Sequence, residues 1–181
     1  MAEAPWRLDL LVPAFAKVRA RYPDAVLAIV GPDNEGYGAK VRGWVAEQGL
    51  QRCVRFVDHL QGEAVLQAYA DADVFALPSY TENFGMVVAE SLACATPVVI
   101  SDQVNIHREV SGAGAGLVTR CDAGDVAEAL CTLLADAPRR AAMGAAGRAL
   151  VQRQWTWDVV AKQLMTEYER VIERHRAGGR A

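Results

Sequence analysis

Leu77-Pro78-Ser79-Tyr80-Thr81-Glu82-Asn83-Phe84-Gly85-Met86-Val87-Val88-Ala89-Glu90 passes from an apolar strand end through a polar loop into an apolar helix. Pro78 closes a strand predicted over 74–77, and the helix is predicted over 84–94, with its start near Asn83 or Phe84. The first N–H groups of a helix have no intrahelical partner, and its dipole is positive at that end. A phosphate is stabilised there, and Gly85 lets its oxygens approach the backbone. Two carboxylates frame the helix start with seven residues between them, Glu82 in the loop and Glu90 inside the helix. An ionised carboxylate only accepts hydrogen bonds, so Glu82 suits a hydroxyl-rich ligand such as a sugar or ribose. Glu90 has Val87, Val88, Ala89 and Leu92 as neighbours, and a charge in such company needs a partner. The bland alternatives are a Glu82 that only complements the helix dipole and a Glu90 that is solvated or salt-bridged.

Outward from this stretch, strand and helix patterns alternate. Helices are predicted over 8–21, 37–47, 62–72, 106–110, 123–135, 138–153 and 157–175. Strands are predicted over 26–30, 54–57, 97–100 and 116–119. Pro13 is read as lying near the first turn of its helix, where a missing N–H is tolerated. Short apolar strands separated by helices imply a parallel sheet covered on both faces, the doubly wound α/β class. Ligands of such sheets bind beyond the carboxyl ends of the strands. That directs attention to three loops, 31–38, 58–61 and 79–85. Residues 1–176 read as one domain that includes closing helices over 137–175, and 177–181 as a disordered tail.

Composition narrows the functional classes. The chain has 181 residues, 52% hydrophobic and 23% charged, with a net charge of −3. A mild acidic balance gives no general attraction to nucleic acid, so no nucleic-acid partner is expected. Cys53, Cys94, Cys121 and Cys131 form no C-x-x-C pair and read as reduced thiols of a cytoplasmic protein. The start carries an early acid and no long apolar run, so it does not read as a signal peptide.

The string Pro78-Ser79, Glu82-x-Phe84-Gly85, Glu90-Ser91-Leu92-Ala93 and Pro97-Val98-Val99 resembles the signature of the group 1 (family 4) retaining glycosyltransferases of the GT-B fold. Further pieces fall in the same order: Tyr22-Pro23-Asp24-Ala25, Ala28-Ile29-Val30-Gly31-Pro32, Asp71-Ala72-Asp73-Val74, Gly116-Leu117-Val118, Met143-Gly144 and Trp155-Thr156-Trp157. The resemblance runs from about Leu8 to Glu173 and implies a single Rossmann-like half of a GT-B enzyme, the half that binds the donor. It implies a nucleotide-sugar substrate, UDP- or GDP-linked, with no further cofactor and no metal in the domain. By position, Glu82 would bind hydroxyls of the transferred sugar, as the catalytic residue. Glu90 would accept from the ribose. Asn83, Phe84, Gly85 and Met86 would face sugar and diphosphate. Gly31 and Pro32 would pass near the phosphates, and Val57 and Asp58 would border the base.

The match has gaps. The family places an Arg and then a Lys before the first helix to hold the departing diphosphate. Trp6 or Arg7 stands where the Lys would be, and Arg7 is the candidate substitute, although Arg and Lys are not interchangeable at a phosphate. The strand before this region is not represented, so one sheet edge is expected to be open. The acceptor-binding N-terminal domain is not represented either, and the isolated chain is expected to have little or no transferase activity. A rival reading is a non-catalytic nucleotide-sugar-binding module, and a weaker one is half of an epimerase or hydrolase.

Other residues read more plainly. Asp71 and Asp73 have Asp-x-Asp spacing but lie at a helix-to-strand junction and read as structural. His59 and His107 are expected to be solvated more readily than to contact nucleotide. Trp155 and Trp157 are expected to pack in the core or between domains. The last helix carries an apolar face (Val160, Leu164, Tyr168, Val171) that would be exposed without the other domain and promote self-association. Arg139, Arg140 and the arginines of 174–180 read as solvated charges, with peripheral contact at the inner membrane face as the alternative.

Overall fold

The structure is a computed structural model that describes residues 8–33 and 36–178. Helix α1 (Leu8–Arg21) leads into β1 (Leu27–Val30), α2 (Tyr37–Glu47), β2 (Val54–Val57), α3 (Glu63–Asp71) and β3 (Phe75–Leu77). There follow α4 (Met86–Ala93), β4 (Val98–Ser101), α5 (His107–Gly112), β5 (Gly116–Thr119), α6 (Ala123–Leu134), α7 (Ala137–Gln154) and α8 (Trp157–Gly178). The order is the one expected, and every described strand pair is parallel.

The side-chain alternation of β4 shows the doubly wound arrangement directly. All four of its residues are buried. Val98 and Ile100 enter one apolar cluster with Val88, Leu92, Val110 and Leu150. Val99, between them, enters the other with Val12, Phe15, Val41, Val126 and Leu133. A strand whose successive side chains go to opposite cores is covered on both faces. Helices α1 and α6 pack together in one layer, and α4 and α7 in the other.

The hydrogen-bonded ladder is broken. β1 pairs with β2, and β3, β4 and β5 pair in that order, with no ladder joining β1 to β3 among the described residues. β1, β2, β3 and β5 each have one unpaired side among the described residues. Both ladders still share the first apolar cluster, which takes Leu27, Ile29 and Phe56 alongside Val99 and Ala76.

Other departures from expectation have local causes. Pro13 lies in the second turn of the described helix, so its missing N–H costs α1 one rung. Val26 is exposed and precedes β1. Helix α8 runs on to Gly178, past the predicted end at His175. Arg140 is no solvated charge. Its guanidinium donates to the carbonyls of Leu133 and Leu134 at 2.7 and 3.0 Å and pairs with Asp73 at 2.9 Å. It closes the C-terminal end of α6, where a cation complements the helix dipole. Of the two tryptophans expected to pack, Trp155 meets Phe84 edge-on at 5.3 Å, whereas Trp157 is 86% exposed.

Candidate functional site

Two loops at the carboxyl ends of β3 and β4 build the candidate site. The main-chain N–H of Glu82 donates to the Gln103 carbonyl at 3.3 Å, and the Asn105 N–H donates to the Glu82 carbonyl at 3.0 Å. This short parallel bridge between Glu82 and Val104 fixes the loop beside the β4–α5 connection. Beneath it, the Ser79 carbonyl accepts from the hydroxyl of Ser101 and, at 3.3 Å, from the thiol of Cys121. Neither Ser101 nor Asn105 stood out in the sequence. Their only signal was polar residues following a fully apolar strand.

Helix α4 starts at Met86, two residues later than predicted. Gly85 takes the N-cap position at φ 73°, ψ 63°. That left-handed conformation ends the loop and holds Asn83 and Phe84 outside the helix. Phe84 turns its ring onto Trp155 and anchors the loop to the second apolar cluster. The N–H groups that open the helix without intrahelical acceptors are thus those of Met86 and Val87. The Gly85 N–H donates to Glu82 Oε1 at 3.3 Å, a long bond that a ligand hydroxyl could displace. Met86 is 62% exposed and Asn83 is also exposed, whereas Gly85 is buried.

Glu90 lies eight residues past Glu82, half-buried on α4. Its partner is neither solvent alone nor a cation: the Tyr69 hydroxyl donates to Glu90 Oε2 at 3.0 Å. Burial first, and then the Glu90 carboxylate, push the Tyr69 phenol well above its usual range, so it remains a donor. Tyr69 was not singled out in the sequence. The signal that could have found it was the unmet need of a carboxylate flanked by Val87, Val88 and Ala89.

The other candidates sit at the carboxyl ends of β1 and β2. The Gly31 N–H donates to the Val57 carbonyl at 3.1 Å, so these two loops leave the ladder together. Gly31, Pro32 and Asp58 are exposed and Val57 is half-buried. Asp33 caps the approach to α2, its Oδ1 accepting from the Gly38 N–H at 2.8 Å. No hydrogen bond among the described residues joins this group to the Glu82 loop. Arg7 lies outside the described residues. His59 is exposed, and His107 Nδ1 lies 2.8 Å from the Val104 carbonyl. Asp71 closes α3 and Asp73 meets Arg140, at the opposite end of β3 from Glu82.

A concavity beside β2 is lined by Arg42, Val45, Val54 and Phe56, and another by Tyr22, Asp24, Asp73 and Arg140. Neither includes Glu82 or Glu90. Among the described residues no cluster of three or more His, Cys, Asp or Glu could hold a metal ion, and no helix is long and apolar enough to cross a membrane.

Comparison with known proteins gives this geometry a context. Residues 6–150 match the family model described as glycosyl transferases group 1. The chain is 34% identical over 163 residues to a GDP-mannose-dependent monoacylated alpha-(1-6)-phosphatidylinositol monomannoside mannosyltransferase of Corynebacterium glutamicum, covering 86% of this chain and 42% of that protein. It is 36% identical over 175 residues to a D-inositol 3-phosphate glycosyltransferase of Stackebrandtia nassauensis, covering 92% of this chain and 39% of that protein. The chain thus spans about two fifths of the length of the curated relatives it matches. Its fold superposes on sucrose-phosphate synthase of Thermosynechococcus elongatus with a TM-score of 0.84 at 29% identity, covering 95% of this chain and 44% of that one.

Proposed function

This chain belongs to the group 1 glycosyl transferases, and from that premise we propose that it binds a nucleotide-sugar as the donor half of a retaining enzyme. The observation that carries the reading is the placement of two carboxylates on one strand–loop–helix unit. Glu82 stands at the open start of α4, past the carboxyl end of β3, and Glu90 lies about one turn further along the same helix, held by Tyr69. In this reading Glu82 accepts hydrogen bonds from the sugar hydroxyls, and Glu90 accepts from the ribose. The Met86 and Val87 N–H groups meet the diphosphate, whose charge grows as the sugar leaves for an acceptor hydroxyl. The helix start supplies that stabilisation without a metal held by this domain. Gly31, Pro32, Val57 and Asp58 border the nucleotide. The similarity to a protein described as GDP-mannose-dependent favours a nucleoside-diphosphate-linked donor.

Calorimetric titration with GDP, UDP and their hexose conjugates tests the reading. One nucleotide series should bind, and Glu90→Ala should weaken it by about 1.5–3 kcal/mol, the range for a hydrogen bond to a charged group. If no nucleotide binds up to millimolar concentration, or Glu90→Ala binds as tightly as the parent, the donor reading fails.

A second reading, binding without chemistry by this chain alone, draws on its extent, about two fifths of the curated relatives. The acceptor-binding half would then be needed for transfer. The exposed apolar face of α8, with Trp157, Val160, Leu164, Tyr168 and Val171, fits a surface that such a half covers. For the chain alone, sedimentation at rising concentration should show mass above the monomer. A monomer at all concentrations would contradict self-association through α8.

A further inference from the structure

Tyr69 belongs to α3, outside the loops that line the candidate site, yet its hydroxyl reaches Glu90 Oε2 at 3.0 Å. Two other contacts fix it. Its ring meets Phe75 of β3 edge-on, with centroids 5.5 Å apart and planes at 74°. Its main-chain carbonyl accepts from Thr96 Oγ1 at 2.6 Å, just past the end of α4. Thr96 is itself buried, and its main-chain N–H closes α4 on the Ser91 carbonyl at 3.1 Å. The phenol is therefore braced against β3 on one side and tied to the helix that carries Glu90 on the other.

A free glutamate side chain samples many rotamers, and ordering it when a ligand arrives costs affinity. Here one carboxylate oxygen is already held, and Oε1 has no partner among the described residues. We propose that Tyr69 is a positioning residue: it holds Glu90 in a single pose so that Glu90 Oε1 is presented to the vicinal hydroxyls of the bound ribose. The inference rests on the donor-site reading above and adds the group through which Glu90 acquires its orientation. The role requires a donor that persists across the working pH range, which the raised phenol supplies. The phenol touches no reacting atom in this account.

The test compares the 181-residue chain with Tyr69→Phe, Glu90→Gln and the double variant. Each is titrated with the nucleoside diphosphate that binds and with its 2′,3′-dideoxy analogue. Tyr69→Phe should weaken the ribonucleotide by roughly three- to tenfold, the size of one lost hydrogen bond, and leave the dideoxy analogue unchanged. The double variant should bind no more weakly than Glu90→Gln, because both changes act on one interaction. Equal weakening of both nucleotides would reduce Tyr69 to a packing role and overturn the inference. So would an unchanged Tyr69→Phe beside a Glu90→Gln that loses its preference for ribose, with the donor reading left standing. A Glu90→Gln that keeps the preference, or a chain that binds neither nucleotide, would overturn the donor reading and this inference with it.

Discussion

Gly85 shows how one residue sets the geometry of the site. Its φ of 73° belongs to the left-handed region, which costs an L-residue about 1–2 kcal/mol. An added Cβ would also sit 3.2 Å from Val88 Cγ2 and 3.3 Å from Glu82 Cγ. Gly85→Ala should therefore lower the melting temperature by roughly 2–8 °C for a chain of this size. Calorimetry or circular dichroism reads this, and an unchanged midpoint would contradict the assigned conformation. At this scale the sequence was informative where chemistry was concentrated. Glu82, Gly85 and Glu90 stand out as charge and glycine within a run of apolar residues. The start of α4 was misplaced because Asn83 and Phe84 fit a helical pattern, and only the cap geometry excludes them. Tyr69 was illegible because its partner lies 21 positions away on another helix.

The packing of elements follows from small residues at close approach. Helix α4 ends with the Thr96 N–H on the Ser91 carbonyl and the Ala95 N–H on the Leu92 carbonyl, at 3.1 and 3.0 Å. Those two bonds form a Schellman motif, whose left-handed position is usually glycine. Here it is Ala95, at φ 61°. Its methyl is exposed, so its removal forfeits little packing. Ala95→Gly should stabilise the chain by about 0.5–1 kcal/mol, the relief of αL strain less the added freedom of the unfolded state. Chemical denaturation measures it, and a loss of stability would mean that the Ala95 strain is absent. Helix α7 lies on this same turn through Gly144, where a Cβ would fall 1.9 Å from the Ala95 carbonyl oxygen. Helix and strand existence was legible from periodicity, since each apolar run had a face to bury. Boundaries shifted by up to three residues, because caps depend on backbone geometry that periodicity does not encode.

The whole molecule joins two parallel ladders through one shared apolar cluster, with helices on both faces. Alternating patterns predict parallel strands and covering helices, but they do not say which strand edges meet. The division into one ladder of β1 and β2 and another of β3, β4 and β5 is therefore not foreseen in the sequence. Arg140 was misread for a similar reason: its partners at Asp73, Leu133 and Leu134 come together only when α6, α7 and β3 are assembled. The proposed site likewise draws on loops after β1, β2, β3 and β4, each of which follows the carboxyl end of a parallel strand. The central claim is that this carboxyl-end face holds a nucleotide-sugar. Its most direct test is backbone amide chemical-shift mapping of the chain during titration with GDP- and UDP-hexoses. The account predicts saturable shifts at Gly31, Val57, Gly85, Met86, Val87 and Glu90 for one of the two series. Shifts confined to the concavity of Arg42, Val54 and Phe56, or no saturable shifts with either series, would contradict it.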